Sequence, residues 1–295
     1  AGLSAEKQPL LHNQQICTRL RSKRLLFLRH GQAMHNPRAE AARNEGCSYE
    51  RFMALMKEDD ELDAALTALG QSQARKVAEC PQASRALNGV DLVVSSPLSR
   101  ALHTADLALP PPPQNKKDST LPHECDGEKQ PNRICLEHFR EINGLLLNGK
   151  RRAKSYLEAT FGGSHRSHWS FSHVESEEDD TWTEELESEE TCGERGYQGL
   201  LCITKREEEK VLVVAHGGLL KFMLVDHPNI KLLDRRSAEM NGRSIEQRFR
   251  NCELREFDMT WEEPCDEDDN GRTNKGVQYR PTITIAEVTD FVQTF

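Results

Sequence analysis

Three short apolar runs constrain the fold of this chain most strongly, because each one ends in a polar or charged motif. The runs cover residues 25–28, 91–94 and 211–214, and such runs are typical of strands covered on both faces of a sheet. Segments rich in helix-forming residues follow each of them. The sequence therefore predicts an α/β domain, a three-layer αβα sandwich with a mostly parallel central sheet.

The motifs after these runs contain the candidate functional residues. They are Arg29-His30-Gly31, Ser95-Ser96-Pro97-Leu98-Ser99-Arg100 and Ala215-His216-Gly217-Gly218. Loops at the carboxyl ends of different strands converge on one crevice in such a sheet, so two imidazoles and two guanidinium groups would meet in one pocket. This set suits a phosphoryl group, with a nucleophile, a second imidazole and two guanidinium forks matched to phosphate oxygens.

Taken alone, Arg-His-Gly is more typical of an ordinary turn histidine beside a surface arginine than of a functional site. The functional interpretation is favoured because two strands end in the same way, at His30 and at His216. The glycines that follow, Gly31 and Gly217, would leave backbone N–H groups free to hold an anion, so both are predicted to contact the substrate.

Further segments extend these motifs into a family pattern. They are Arg29-His30-x-Gln32-x-x-His35-Asn36, Asp63-x-x-Leu66-Thr67-x-Leu69-Gly70, Arg140-Glu141 followed by Lys150-Arg151-Arg152, and Asn251-Cys252-Glu253-Leu254-Arg255. Together they resemble the histidine phosphatase superfamily, also called phosphoglycerate mutase-like. The likeness spans about residues 24–257 and is closer to the phosphoglycerate mutase-like proteins of plants and fungi.

The resemblance implies a two-step phosphoryl transfer through a phosphohistidine on His30. It assigns Arg29, Arg100 and His216, with Asn36, to the phosphoryl oxygens and to the charge that develops on them. Imidazole is partly neutral near its ordinary pKa of about 6.5, which agrees with a nucleophilic role. The fixed cations would supply the charge that Mg²⁺ otherwise provides, so neither a metal nor another cofactor is predicted.

Two carboxylates compete for the role of proton donor to the leaving oxygen. Glu141 aligns with the acid of the family's Arg-Glu-Ile-x-x-Gly-like segment and is the preferred candidate. Glu137 lies four residues earlier and is the alternative. Either could also be an ordinary exposed carboxylate at a helix end.

Two further sets of residues are open to more than one interpretation. Lys150, Arg151 and Arg152 could bind a second anionic group of the substrate or could form an ordinary solvated charge run. His35 beside Asn36 could contact the leaving group or make a structural hydrogen bond.

Departures from the glycolytic mutases favour hydrolysis over isomerisation. Those enzymes carry Glu-Ser after Arg-His-Gly and Glu-Arg-His-Tyr around the acid, whereas this chain has Gln32-Ala33 and Glu141-Ile142-Asn143. We therefore expect a metal-independent phosphomonoesterase, a histidine acid-type phosphatase. The alternatives are a phosphoglycerate-type mutase and a non-catalytic module that binds a phospho-ligand or a protein.

Composition limits the partners of the chain. The formal net charge of −9 argues against nucleic acid, and no stretch approaches the roughly 20 apolar residues of a membrane span. A small phosphorylated substrate is the expected partner, because positive charge in a cleft can outweigh a distant negative surface. Nine cysteines without a C-x-x-C pair favour reduced thiols and a cytoplasmic protein, with an organelle or the nucleus left open and no indication of the oligomeric state.

Domain boundaries are predicted from breaks in composition. Residues 1–23 are expected to form an N-terminal arm, and residues 24–295 a single domain. That domain would contain an insertion at about 143–194 and an acidic surface loop at about 261–277. A strand is predicted over 249–257, and the alternation over 282–288 predicts a last edge strand.

Overall fold

The fold is described from a computed structural model, which covers residues 18–110, 130–163, 168–233, 249–265 and 280–288. Its centre is one seven-stranded sheet with the spatial order β3-β2-β4-β1-β6-β7-β5. The strands are β1 (Thr18–Arg29), β2 (Leu92–Ser95), β3 (Asn132–Cys135), β4 (Lys210–Ala215), β5 (Ile230–Leu233), β6 (Leu254–Pro264) and β7 (Ile283–Glu287). Four of the neighbouring pairs are parallel, and β6 is antiparallel to both β1 and β7. The predicted α/β class with a mostly parallel sheet is confirmed.

Helices connect the strands and cover both faces of the sheet. They are α1 (Pro37–Asn44), α2 (Tyr49–Glu58), α3 (Ala68–Glu79), α4 (Pro81–Leu87), α5 (Ser99–Ala108), α6 (Lys154–Leu157), α7 (Glu189–Thr204) and α8 (Gly217–Lys221). Short π-helical turns extend α6 to Gly162 and α8 to Asp226. In the described parts of the chain, no helix has the length and apolar character needed to cross a membrane.

Alternate residues of the central strands enter two separate hydrophobic cores. Leu25 and Phe27 of β1 pack on the side of α7 and α8, whereas Leu26 and Leu28 pack on the side of α3, α4 and α5. This follows from the period of two along a strand, and it explains why the run 25–28 is apolar at every position. The middle layer is therefore buried on both faces.

The predicted N-terminal arm is too long. Strand β1 begins at Thr18, so residues 18–23 are part of the sheet, and residues 1–17 lie outside the described ranges. The polar side chains of this stretch gave no strand signal, because residues 18–22 are mostly exposed. Backbone pairing with β6, from Thr18 opposite Pro264 onward, holds the segment extended.

The C-terminal strands also differ from prediction. Strand β6 begins at Leu254 and runs to Pro264, so the first residues of the predicted loop 261–277 are strand, while 266–279 fall outside the described ranges. Strand β7 is not an edge strand, because it pairs with β6 on one side and with β5 on the other. The predicted alternation is present, because Ile283 and Ile285 are fully buried on one face while Thr284 and Ala286 on the other are only half-buried.

Candidate active site

His30 is the first residue after β1 and is almost fully buried. Its Nδ1 lies 2.6 Å from the carbonyl oxygen of Gly31. A carbonyl oxygen only accepts, so Nδ1 carries the proton and the lone pair of the neutral ring resides on Nε2. The backbone thus orients this imidazole with one nitrogen able to act as a nucleophile.

His216 follows β4, which pairs in parallel with β1. The rings of His30 and His216 have centroids 5.0 Å apart and planes inclined at 57°. His216 Nε2 lies 2.8 Å from the hydroxyl oxygen of Ser96, which follows the neighbouring strand β2. Three adjacent strand ends therefore bring these groups together, as the convergence of loops in a parallel sheet predicted.

Both imidazoles are neutral at physiological pH. Burial holds the pKa of His30 well below its ordinary value, and the nearby charges of Arg100 and Arg29 lower that pKa further. Burial and Arg100 likewise lower the pKa of His216. A ring that stays unprotonated keeps its lone pair for bond formation.

Two guanidinium groups lie beside these rings with part of their hydrogen-bonding capacity unused. Arg100 is fully buried and donates from Nη1 to the carbonyl oxygen of Asn148 at 2.7 Å, but its Nε and Nη2 have no partner among the described residues. Arg29 donates from Nη1 to the carbonyl oxygen of Phe249 at 2.9 Å and forms an ion pair with Glu40, while its Nε has no partner within the same ranges. Burial lowers the pKa of Arg100 to about 10, so the group remains charged at neutral pH.

Buried donors without partners are costly, and the charges of Arg100 and Arg29 both lie close enough to His30 to lower its pKa. The Nδ1 atom of His216 is also buried without a partner among the residues described. Arg100 and His216 are fully buried beside His30 and do not line the surface of the cleft themselves. The arrangement is suited to an oxyanion seated on His30.

The remaining residues of the predicted phosphate pocket have different surroundings. Asn36 is buried just before α1, accepts a hydrogen bond from the Ala33 N–H at 3.1 Å, and lines the cleft. The N–H of Gly31 donates to Thr104 Oγ1 at 3.1 Å, so the prediction that this N–H is free for an anion is wrong. Gly31 is required for another reason, because a Cβ there would lie 2.5 Å from the carbonyl oxygen of Gly70.

Glu141 reaches the amino end of α8. Its carboxylate accepts hydrogen bonds from the N–H groups of Leu219 at 2.9 Å, Gly218 at 3.2 Å and Ile142 at 3.1 Å. Gly218 leaves no space for a side chain there, since a Cβ would lie 2.4 Å from Glu141 Oε1. Glu141 lines the same cleft as His30, and so does Gly217.

A model of the histidine phosphatase superfamily (branch 1) matches residues 25–119. The resemblance to that superfamily is confirmed. The matched segment contains the last five residues of β1, all of β2, and the residues Arg29, His30 and Arg100.

Curated relatives extend the likeness along the chain. Phosphoglycerate mutase-like protein 1 of Arabidopsis thaliana is 28% identical over 252 residues, which cover 80% of each chain. A second phosphoglycerate mutase-like protein of Arabidopsis thaliana is 26% identical over 248 residues, covering 80% of this chain and 83% of the relative. Among solved structures, phosphoserine phosphatase from Entamoeba histolytica in complex with 3-phosphoglyceric acid is 18% identical, with a TM-score of 0.37, and the match covers 79% of this chain and 89% of that one.

The competing carboxylate, Glu137, does not line the cleft. It forms ion pairs with Arg151 at 2.6 Å and with Arg140 at 3.2 Å. Arg140 is itself buried and makes a bidentate pair with Asp179 at 2.8 and 2.5 Å. Glu137 therefore belongs to a buried ionic network beside the site.

The basic triplet 150–152 is also placed away from the cleft, contrary to the prediction that it binds substrate. Arg151 is buried, and besides Glu137 its guanidinium donates to carbonyl oxygens of the acidic segment 176–178 and of Arg152. Arg152 donates to the carbonyl oxygen of Leu62, and Lys150 Nζ lies 4.5 Å from the ring centroid of Trp182. The positive charge of the triplet organises the acidic segment instead of a ligand.

The cleft has a volume of about 340 Å³ and two chemically different ends. The phosphate end holds Arg29, His30, Asn36 and Glu141. The other end is mostly apolar and is formed largely by α2, whose role the sequence reasoning missed. Apolar residues at i, i+3, i+4 and i+7 of that helix were the available signal.

Two further residues near the site were also missed. Glu40 of α1, which pairs with Arg29, has no distinguishing sequence signal. Asp63 lies within the family pattern, and its carboxylate accepts hydrogen bonds from Ser99 at the start of α5, one residue before Arg100. No group of three or more His, Cys, Asp or Glu side chains suited to a metal ion occurs in the described ranges.

Proposed function

We propose that this chain is a metal-independent phosphomonoesterase that acts through a phosphohistidine on His30. One observation carries the proposal: His30 presents Nε2 as a neutral nucleophile beside buried donors of Arg29 and Arg100 and the buried Nδ1 of His216, none of which has a partner among the described residues. A phosphoryl group on Nε2 would give those donors their acceptors.

In the first step, Nε2 of His30 attacks phosphorus, and the N–P bond forms as the P–O bond to the leaving oxygen breaks. His30 Nδ1 keeps its proton and continues to donate it to the Gly31 carbonyl oxygen, which stabilises the positive charge on the phosphorylated ring. The protonated carboxyl of Glu141 gives its proton to the leaving oxygen, so that an alcohol departs.

In the second step, a water molecule attacks phosphorus and Glu141 takes one of its protons. The N–P bond breaks, inorganic phosphate is released, and neutral His30 is restored. The three backbone N–H groups that hold the Glu141 carboxylate keep it on the cleft side of α8 for both transfers.

Two cations and one neutral imidazole act on the phosphoryl oxygens in both steps. Arg29, Arg100 and His216 offset the negative charge that builds up in each transition state, and each such donor contributes about 10²–10³-fold in rate in comparable sites. Asn36 lines the same end of the cleft and contributes its amide. These roles follow the family resemblance, residue by residue.

Hydrolysis of 4-nitrophenyl phosphate in the presence of EDTA tests the proposal. We expect turnover by the unaltered chain, none by His30→Ala, and wild-type turnover by His103→Ala, a control on α5 outside the cleft. Rapid quenching should also yield a phosphorylated protein that is stable to alkali and labile to acid, as a phosphohistidine is.

Two other outcomes would replace the proposal. Isomerisation of a phosphoglycerate without release of inorganic phosphate would identify a mutase, the activity that the names of the Arabidopsis relatives suggest. Binding of inorganic phosphate with neither activity would identify a non-catalytic phospho-ligand module.

A further inference from the structure

Helix α2 presents one continuous apolar face to the cleft. Tyr49, Phe52, Met53 and Met56 are spaced i, i+3, i+4 and i+7, which places them on the same side of the helix, and all four line the cleft. The same helix has charged residues elsewhere, including the exposed Glu50. The apolar face of this amphipathic helix therefore borders the cleft.

Other elements complete the apolar wall. Ile142, Leu146, Leu186 and Phe222 also line the cleft, so eight large apolar or aromatic side chains line it, beside the polar Ser48 and Asn148. Met56 and Leu146 belong to a buried cluster with Leu55 and Ala39, which holds α2 in place. Phe52 and Met53 pack against that cluster and remain partly exposed to the cleft.

The charged side chains at this end do not favour a second anionic group on the substrate. Arg43 and Glu189 both line the cleft and carry opposite charges, while Glu40 pairs with Arg29 of the phosphate end. The guanidinium carbon of Arg43 lies 3.6 Å from the centre of the Phe52 ring, so the two side chains form a cation–π contact. The basic triplet that the sequence offered for a second anion makes its contacts elsewhere.

From this wall we infer that the substrate is a phosphomonoester with an apolar alkyl or aryl leaving group, and not a phosphorylated sugar, glycerate or nucleotide. The inference rests on the proposed phosphatase function, and it assigns specificity to α2. An apolar group leaving water for this end of the cleft gains affinity in proportion to the area it buries, whereas hydroxyl groups placed there would lose hydrogen bonds to water.

Comparison of n-hexyl phosphate with glycerol 3-phosphate tests the inference. Both release a primary alcohol, and the hydroxyl groups of glycerol make it the better leaving group, so chemistry alone would favour glycerol 3-phosphate. We expect kcat/KM at least tenfold higher for n-hexyl phosphate, equivalent to about 1.4 kcal/mol. Equal or faster hydrolysis of glycerol 3-phosphate, or of 3-phosphoglycerate, would overturn the apolar assignment and leave the phosphatase function intact.

A matched pair of variants links the preference to α2. Met53→Gln keeps the length of the side chain and adds a polar end, and it should lower kcat/KM for n-hexyl phosphate at least fivefold while ethyl phosphate stays within twofold. Met34→Gln is the control, because Met34 is 52% exposed and lies outside the cleft lining. An unchanged preference in Met53→Gln would contradict the assignment to this helix.

Binding to His30→Ala separates the two proposals. This variant cannot form the phosphohistidine, so calorimetry measures affinity without turnover. We expect n-hexyl phosphate to bind at least tenfold more tightly than ethyl phosphate. If the unaltered chain hydrolyses neither compound but this binding preference is present, the proposed phosphatase function is wrong and the inferred apolar ligand class is supported. Equal affinities for the two compounds would contradict the inferred ligand class.

Discussion

The imidazole rings of His30 and His216 lie with their centroids 5.0 Å apart, although the two residues are distant in sequence. Parallel pairing of β1 with β4 produces this approach, because Arg29 is opposite Ala215 and each histidine is the next residue. Each ring is held by one nitrogen, His30 through the Gly31 carbonyl and His216 through Ser96. The two imidazoles are thus fixed in different ways, so that Nε2 of His30 and Nδ1 of His216 are the nitrogens left for a ligand.

Replacing His216 by alanine should lower kcat for 4-nitrophenyl phosphate by about 10²–10³-fold, because one donor to the developing phosphoryl charge is removed. Ser96→Ala should cost only about tenfold, since Ser96 acts by orienting His216 through one hydrogen bond. Steady-state kinetics on folded protein, checked by urea unfolding, measures both. Near wild-type kcat in His216→Ala would contradict the role assigned to this imidazole.

Glu141→Gln should keep the hydrogen bond from the Leu219 N–H through its amide oxygen, lose the one from the Gly218 N–H, and abolish proton transfer. Alkyl phosphates, whose leaving oxygen needs a proton, should lose about 10²–10⁴-fold in rate. With 4-nitrophenyl phosphate, departure needs little help, so a burst of nitrophenolate should precede slow dephosphorylation. Stopped-flow absorbance would detect the burst, and uniform loss for both substrate types would argue against acid catalysis by Glu141.

Glu137→Gln is the counterpart for the carboxylate outside the cleft. It breaks the ion pairs with Arg140 and Arg151, two guanidinium groups that are themselves buried. We expect a loss of about 2–4 kcal/mol in the free energy of unfolding and little change in kcat for the folded protein. Urea denaturation and activity assays check this, and a large fall in kcat at unchanged stability would return Glu137 to the candidate acids.

Gly31→Ala should disturb both stability and activity. Its Cβ would lie 2.5 Å from the carbonyl oxygen of Gly70, a backbone atom that cannot move independently. Such overpacking costs about 1–3 kcal/mol and would shift the carbonyl that orients His30. Thermal unfolding and kcat measure the two effects; Gly163→Ala, where a Cβ would meet nothing within 4 Å, is the control.

Asp63 should make stability decline as pH rises from about 4 to about 6. Burial raises the pKa of its carboxyl to about 6, so in this interval the native state binds more protons than the unfolded chain. Asn at this position carries no charge, accepts the Ser99 N–H and tolerates the positive φ of 50°. The free energy of unfolding of Asp63→Asn should therefore exceed that of the wild type by about 2–3 kcal/mol at pH 7.5 and by little at pH 4. Urea unfolding at the two pH values measures this difference. An equal gain at both pH values would show that ionisation of Asp63 is not its cause.

The sequence-based predictions were accurate where a structural feature depends on neighbouring residues, and less accurate where it depends on contacts between distant segments. The runs at 25–28, 91–94 and 211–214 lie in β1, β2 and β4 almost as predicted, because continuous burial requires apolar residues at every position. Helix α7 begins at Glu189, inside the predicted insertion at about 143–194, because Ser188 Oγ accepts the N–H of Thr191 and caps the helix. The start of β1 was missed because exposed strand residues need not be apolar.

Charge was the least reliable guide. A basic triplet and an acidic segment close in sequence both suggest solvated surface or a ligand site, yet Arg151 is buried against carbonyl oxygens of residues 176 and 178. Such pairing depends on how two distant loops pack together, and residue type alone does not reveal it. Residue type also could not decide between Glu141 and Glu137. The two are four residues apart, and the path of the backbone between them places the Glu141 carboxylate at α8 and the Glu137 carboxylate in the ionic network.

The sequence by itself determined the alternation of buried strands and polar motifs, and with it the α/β class. It also determined that His30, Arg29, Arg100 and His216 lie close together at the carboxyl ends of the central strands. These features are encoded locally, by hydrophobic period and by the residues at strand ends. Only the tertiary structure decided which carboxylate faces the cleft and which cations are paired with protein groups. It also decided that one face of α2 forms the apolar end of the cleft. Those outcomes depend on contacts between segments far apart in the chain, where burial and hydrogen bonding select among side chains that look equivalent in sequence.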